Sequence, residues 1–278
     1  MTNPSLIKDV LLIVDGDPPS FSAIDQGIAY AARHDACLTI IVASENVSLA
    51  AAAEPMGYAM ALTVAEDLSA ARLVAVRRHV KDAPVAVAIH GLLEAPDVLP
   101  RMAKIEGSYA DIILIPGADR WRDDSLRRHL TETLLFTGVP ILVMPADWIP
   151  GPVNHAVLGW NASIESFRAA RVLLTLVEAD ASVDVVVVDA LDRYEPSQAV
   201  PGTHIARHLG RHGLRVEVHA IGSANRGVAG ALQALASNHK ADLLVVGGYG
   251  RSRALEFILG GVTRELIGQQ HVPILFVH

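Results

Sequence analysis

The chain has 278 residues, of which 51% are hydrophobic and 19% are charged. This composition excludes an extensively disordered protein, because such chains combine low hydrophobicity with high charge. The formal net charge is −7, so the sequence offers no basic footprint for nucleic acid or for an anionic membrane surface. A single cysteine excludes an intramolecular disulfide, and no apolar run approaches the ~20 residues that span a bilayer. We expect a soluble, cytoplasmic protein.

Short apolar runs recur along the chain and alternate with segments of helical spacing, a pattern that predicts buried parallel strands joined by helices in right-handed βαβ units. In the first half the predicted strands are Val10–Val14, Leu38–Val42, Val85–Ile89, Ile112–Ile115 and Ile141–Met144, and the predicted helices are Ala23–His34, Ala59–Lys81, Asp97–Glu106 and Ser125–Phe136. In the second half the strands are Ala156–Trp160, Val183–Val188, Leu214–Val218, Leu243–Val246 and Ile274–Val277, and the helices are Ser163–Glu178, Gln198–His212, Gly227–Asn238 and Val262–Gln269.

The two halves of the chain resemble each other. Ala110–Ile115 matches Ala241–Val246, and Val139–Val143 matches Val272–Phe276 at a slightly larger offset. The second copy therefore carries an insertion between these two points. A stiff, proline-rich stretch near Pro150 separates the copies, so we predict two domains at 1–150 and 151–278.

The insertion carries the most informative motif of the sequence. Gly247, Gly250 and Gly260 follow a predicted strand and precede a predicted helix. Glycines at such a place let backbone N–H groups approach a ligand, and the N-terminus of the following helix favours an anion such as phosphate. The spacing matches neither a P-loop nor the dinucleotide fingerprint, but ligands of open α/β sheets bind at this edge.

This spacing, G-x2-G-x9-G, resembles the G-x2-G-x9-G-[S/T] motif of the universal stress protein family. The flanking segments Ala241–Val246 and His271–Val277 are similar to the closing strands of that family, and Val14-Asp15-Gly16 is similar to its opening strand and turn. The resemblance covers the whole chain as two tandem copies. It implies an α/β fold of two flavodoxin-like open parallel sheets, each with strand order 3-2-1-4-5.

The resemblance also implies an ATP site, with or without Mg²⁺, in the second copy. By position, the implied binding residues are Asn161, Val187, Gly247, Gly250, Gly260, Gly261, Val262 and Thr263. The backbone of the first two glycines would line the ribose and phosphates, residues 260–263 would cradle the phosphates, and Val187 would meet the adenine through its backbone. Two positions depart from the family pattern: Gly261 replaces a hydroxyl residue, and Asn161 replaces a carboxylate while keeping hydrogen-bonding capacity.

The first copy lacks the glycines. Pro116, Asp119, Arg128 and His129 stand in their places, although Asp15 retains the first-strand carboxylate. A proline has no N–H to donate, and a carboxylate repels phosphate. We therefore expect no nucleotide in the first copy.

These features predict a stress-response regulatory protein that binds adenine nucleotide in its second domain. Hydrolysis would be slow at most, since no catalytic constellation stands out. The alternative is a nucleotide-free interaction protein of the same fold, which acts by docking an unidentified protein partner. The resemblance further implies pairing of Ile141–Met144 with Ile274–Val277 within the chain, and a homodimer of whole chains is an open possibility.

Two further features, a histidine repeat and Ser163, have simple structural explanations. His204, His208 and His212 recur every four residues, a spacing that suits zinc or a solvated helix face. The repeat contains neither a carboxylate nor a cysteine, so the solvated face is favoured and we predict no metal site. Ser163 is expected to be a helix N-cap rather than a nucleophile.

Overall fold

The computed structural model describes residues 6–46, 55–189, 201–248, 261–268 and 270–278. The chain divides into two compact units, a first unit at Met1–Ile141 and a second unit at Leu142–His278. The domain boundary near Pro150 stays a prediction. Within the described ranges, no helix is both long and apolar enough to cross a membrane.

The first half of the chain is a parallel α/β layer with strand order β3-β2-β1-β4-β5. Its strands are β1 (Asp9–Asp15), β2 (Cys37–Glu45), β3 (Val87–Glu94), β4 (Ile112–Pro116) and β5 (Ile141–Met144), the last of which begins at the end of the first unit. Its helices are α1 (Phe21–His34), α2 (Pro55–His79), α3 (Leu99–Gly107) and α4 (Asp124–Leu135).

The second half has the same strand order, β8-β7-β6-β9-β10, again with parallel neighbours. Its strands are β6 (Val153–Gly159), β7 (Val177–Val188), β8 (Arg215–Ile221), β9 (Leu243–Gly247) and β10 (Ile274–Val277), and its helices are α5 (Ile164–Leu176), α6 (Thr203–Arg211), α7 (Gly227–Asn238) and α8 (Gly261–Gly268). The predicted α/β fold with order 3-2-1-4-5 in each half is confirmed.

The central strands explain why the sequence predicts the sheets well. Every residue of β4, β5 and β10 is buried, and so is every residue of β1 except Asp9. Strands that are covered on both faces must be apolar throughout, and they therefore read as continuous runs. β3 and β8 are the terminal strands of the two strand orders, and their residues are half-buried or exposed, so their apolar signal is weaker.

Several element boundaries differ from the predictions by a few residues, and the differences at β3 and α5 have a structural cause. β3 begins at Val87 and runs to Glu94, because it pairs with β2 through the polar residues at its end. The helix predicted to end at Glu178 ends at Leu176, and β7 follows it directly. Val177 pairs with Val153 of β6, and the register shifts before Ser182 pairs with His155. Asp180 lies within this shift, and its φ is 60°.

One carboxylate contact occurs in both halves. Asp111 Oδ2 accepts the backbone N–H groups of Lys8 and Asp9 at 2.7 and 3.0 Å. Asp242 Oδ2 accepts those of Asn154 and His155 at 2.8 and 2.9 Å. Each carboxylate precedes the fourth strand of its sheet and holds the start of the first strand. The Ala-Asp match between the halves therefore has a structural cause, which is the fixing of strand register.

Candidate functional site

The predicted site lies at the carboxyl edge of the second sheet, where three strands end side by side. β6 ends at Gly159, β7 at Val188 and β9 at Gly247. Gly159 is in register with Val186 of β7 and Val246 of β9. In open parallel sheets this is the edge at which ligands bind.

Asn161 follows β6 and is exposed at this edge. Its side-chain oxygen accepts a hydrogen bond from the backbone N–H of Ser163 at 3.0 Å. Ser163 is the N-cap of α5, and its hydroxyl accepts the N–H of Ser166 at 3.2 Å. The predicted cap is confirmed. Asn161 therefore supports the turn into α5, whatever ligand contact it also makes.

Gly247 is held in place by helix packing. A Cβ at this position would lie 2.7 Å from the backbone carbon of Glu165 and 2.7 Å from the backbone nitrogen of Ser166. A side chain would therefore require α5 to move. The first glycine of the motif has a structural role that does not depend on a nucleotide.

Val187 lies near the carboxyl end of β7. The residue is 4% exposed, and it is in parallel register with Ala220 of β8. The expected contact with adenine through the backbone is compatible with this burial, and it stays a prediction.

The described part of α8 begins with two exposed residues. An added Cβ at Gly261 would meet no described atom within 4 Å, and Val262 is 37% exposed. Thr263 is only 5% exposed, so it packs against the second unit instead of facing open space. The first described turn of α8 contains no acidic residue. Gly250 and Gly260 lie outside the described residues.

The same edge of the first sheet is closed by the protein's own polar groups. Asp15, the last residue of β1, accepts the backbone N–H of Asp17 at 2.9 Å and that of Arg122 at 2.6 Å. Arg72 of α2 donates to the Asp17 carboxylate at 2.6 Å, and the Arg122 guanidinium pairs with the same carboxylate. The segment after β4 therefore lies over the end of β1. Burial raises the pKa of Asp15, although the two N–H groups act against this shift.

Protein carboxylates also occupy the N-terminus of α4. Asp123 is the N-cap, and its side chain accepts the backbone N–H of Ser125 at 2.8 Å. The side-chain hydrogen bond from Ser125 contributes most to lowering the pKa of Asp123 below its ordinary value. Asp124 pairs with Arg127 and Arg128, each at 2.6 Å.

The four residues that replace the glycines in the first copy lie in and after β4. Pro116 ends β4, Asp119 lies in a short 3₁₀ turn, and Arg128 and His129 lie within α4. Sequence reasoning identified these replacements. It did not foresee that Arg122 would close the edge, because the contact joins residues 107 positions apart.

A second polar group in the second unit also escaped the sequence analysis. We call it the Asp184 cluster: Asp184 of β7, His155 of β6, His219 of β8 and His239 after α7. Asp184 Oδ2 lies 2.9 Å from His155 Nε2 and 2.7 Å from His239 Nδ1, and Oδ1 lies 3.1 Å from His219 Nε2. The sequence contains one indication of this cluster, which is the carboxylate of Asp184 inside the apolar run Val183–Val188.

The histidine repeat of α6 is a different case. The rings of His208 and His212 lie 4.9 Å apart. Among the described residues, neither His204, His208 nor His212 belongs to a group of three or more ligand atoms close enough to hold a metal ion.

Strand order, parallel pairing and the position of the motif define a flavodoxin-like α/β protein, a class that binds ligands at the carboxyl edge. The comparison with family models is more specific, since residues 153–278 match the model described as Universal stress protein family. Residues 153–278 therefore form a domain of the universal stress protein type.

Solved structures agree on the fold. A universal stress protein from Archaeoglobus fulgidus DSM 4304 is 13% identical, with a TM-score of 0.68 over 96% of this chain and 95% of that chain. A candidate universal stress protein from Pseudomonas aeruginosa UCBPP-PA14 is 13% identical, with a TM-score of 0.58 over 98% of this chain and 93% of that chain. At this identity the likeness shows the fold alone. A comparison with curated proteins finds no match.

Proposed function

We propose that the protein is a stress-response regulator that binds ATP at the carboxyl edge of the second sheet. One observation supports the proposal most: the glycine motif begins at the carboxyl edge of the sheet, where open α/β sheets bind ligands. The motif starts at Gly247, where β9 ends, and its last glycine directly precedes Gly261, where the described part of α8 begins. Asn161 and Val187 lie at the ends of neighbouring strands.

The local charge distribution favours an anion at this place. Backbone N–H groups at a helix N-terminus have no partner within the helix, and the helix dipole attracts negative charge. The first described turn of α8 carries no carboxylate that would compete with a phosphate. With a net charge of −7, the overall field of the protein gives no help, so the affinity must come from these local groups.

The first half is expected to bind no nucleotide. Asp15, Asp123 and Asp124 place carboxylates where a phosphate would otherwise approach. The proposal therefore specifies one nucleotide per chain, which acts as a regulatory ligand with slow hydrolysis at most. Mg²⁺ on the phosphates, homodimerisation and a cytoplasmic location stay predictions.

The alternative is a nucleotide-free interaction protein of the same fold. It is favoured by the packing of Gly247 against α5, which would retain this glycine without any ligand.

The test uses the full chain, purified without added nucleotide. Protein would be denatured and the released small molecules identified by mass spectrometry, and ATP would then be titrated calorimetrically into nucleotide-free protein. The test variant is Gly261→Asp, because the described surroundings have room for the side chain and an acidic residue in a first turn does not disfavour a helix. The matched control is His129→Asp, at the exposed aligned position in the first half.

We expect one ATP per chain in the wild type and in His129→Asp, and at least a tenfold loss of affinity in Gly261→Asp. Wild-type protein that carries no nucleotide and shows no heat of ATP binding would support the interaction protein. Equal loss in both variants would contradict the assignment of the site to the second half.

A further inference from the structure

The register of the second sheet brings the Asp184 cluster together. Asp184 is in register with Val157 of β6 and Glu217 of β8. His155 lies two residues before Val157 and His219 two residues after Glu217, so all five side chains share one face of the sheet. His239 follows α7 and reaches the same carboxylate.

We propose that His155, Asp184 and His239 bind a divalent transition-metal ion, with zinc as the preferred ion and His219 as a positioning residue. Imidazole nitrogen and carboxylate oxygen are both zinc ligands, and three protein ligands with one open position form a common zinc site. The proposal is independent of nucleotide binding.

The distances fit this role. The ligand atoms of His155, Asp184 and His239 all lie within 4.8 Å of one another. Tetrahedral zinc with bonds of about 2.0–2.1 Å separates its ligand atoms by about 3.3 Å. The hydrogen-bonded distances from Asp184 to His155 and His239 are 2.9 and 2.7 Å, so each pair must open by only about 0.4–0.6 Å. The two imidazole nitrogens lie within 4.8 Å of each other and would have to reach the same separation of about 3.3 Å.

The surroundings of the Asp184 carboxylate favour a cation. Asp184 is 6% exposed. Burial alone would raise the pKa of Asp184, but the hydrogen bonds from His239, His219 and His155 together lower it below the ordinary value. Both oxygens of this buried carboxylate face imidazole nitrogens, and carboxylate oxygen and imidazole nitrogen are both zinc ligands. His219 holds the second oxygen at 3.1 Å, which is the kind of contact that orients a ligating carboxylate.

An ion can reach the site from the His239 side. The His239 side chain is 38% exposed, compared with 8% for Asp184. A cavity of about 360 Å³ has His239 in its wall, together with Ile221, Ser223, Arg226 and Leu235. His239 is thus the member of the Asp184 cluster that borders this cavity.

The first half supplies a built-in comparison. Strand registers place Asp9, Thr39 and His90 at the positions of His155, Asp184 and His219. Ser108, the C-cap of α3, corresponds to His239, the C-cap of α7, because each lies three residues before the paired aspartates that hold the strands. This set has one imidazole and lacks the central carboxylate, so we expect a single metal ion per chain.

The test is a zinc titration of the full, nucleotide-free chain by calorimetry, after treatment with a chelator. Three proteins are compared: the wild type, a His155→Gln/His239→Gln double variant, and a His208→Gln/His212→Gln control. The control removes the same number of histidines from the exposed face of α6. Circular dichroism verifies that each protein is folded.

We expect one zinc per chain in the wild type and in the control, and at least a hundredfold weaker binding in His155→Gln/His239→Gln. Wild-type protein without stoichiometric zinc would overturn the proposal. Equal binding by wild type and His155→Gln/His239→Gln would also overturn it, and loss in the control alone would place the metal on α6.

A second measurement covers the case in which the double variant does not fold. Co²⁺ added to the wild type should give the intense visible absorption of a four-coordinate site, and zinc should abolish it. His219→Gln should keep the metal but bind it about tenfold to a hundredfold more weakly, as expected for a positioning residue. Only the weak spectrum of six-coordinate cobalt would contradict the proposed site.

Discussion

The two halves have the same strand order, but the carboxyl edges of their sheets differ in what lies over them. In the first half, Asp15 binds the N–H of Arg122, and the segment after β4 covers the end of β1. In the second half, Asn161 caps a turn, and Gly261 faces space in which the described residues leave room for a Cβ. Negative charge stabilises a helix N-terminus, and this charge can come from the protein or from a ligand. The first half uses its own carboxylates.

The largest effect is expected for Gly247→Ala, which tests whether packing against α5 holds this glycine in the second half. The added Cβ would collide with the backbone of Glu165 and Ser166, so we expect a destabilisation of about 1–3 kcal/mol. Gly261→Ala is the matched control. Its Cβ meets no described atom, and an alanine in a helix should leave stability unchanged or raise it by up to about 1 kcal/mol. Urea unfolding measures both, and equal effects of the two variants would show that packing does not hold Gly247.

The shared scaffold is tested by Asp111→Ala and Asp242→Ala. Each substitution removes an oxygen that accepts two backbone N–H groups at an exposed position, so we expect a cost of about 1 kcal/mol in either half. Asp→Asn at each site keeps one oxygen and should cost less. A large effect in one half and none in the other, measured by urea unfolding, would mean that the two carboxylates have different roles.

Asp15→Asn gives the first half the residue type that the second half has at the corresponding position, which is Asn161. Asparagine has one oxygen for the two N–H groups of Asp17 and Arg122, so the segment after β4 should open more easily. We expect about fivefold faster hydrogen exchange at the Arg122 amide, which corresponds to about 1 kcal/mol. The buried charge disappears at the same time, so global stability should change little. Unchanged exchange would show that Asp15 does not close the edge.

The smallest expected effect concerns the acidic cap of α4. The pKa of Asp123 is lower in the folded protein, so its charge stabilises the fold above the unfolded pKa of about 3.9. This contribution is lost as the pH falls through the lower folded value. Asp123→Asn keeps a capping side chain without the charge. The wild type should be more stable than the variant by a few tenths of a kcal/mol at pH 7, and the difference should shrink below about pH 4. A difference independent of pH would exclude the charge as its cause.

The sequence was sufficient for the sheets and for placing the first glycine of the motif at the end of β9. β4 and β9 are continuous apolar runs, and the motif marks the edge at which β9 ends. The Asp184 cluster could not be found in this way. Its contacts join residues 29, 35 and 55 positions apart, and they depend on a register that composition does not specify. Asp184 inside an apolar strand was visible, but its partners were not.

The carboxylate contacts of Asp111 and Asp242 have a consequence for protein engineering. They hold the strands through backbone N–H groups, so the register does not depend on the side chains that the strands carry. Asp9 and His155 occupy the same held position with different chemistry. The first half is therefore suited to grafting. Asp9→His, Thr39→Asp and Ser108→His, together with the native His90, would reproduce the residues of the Asp184 cluster in the sheet of the first half.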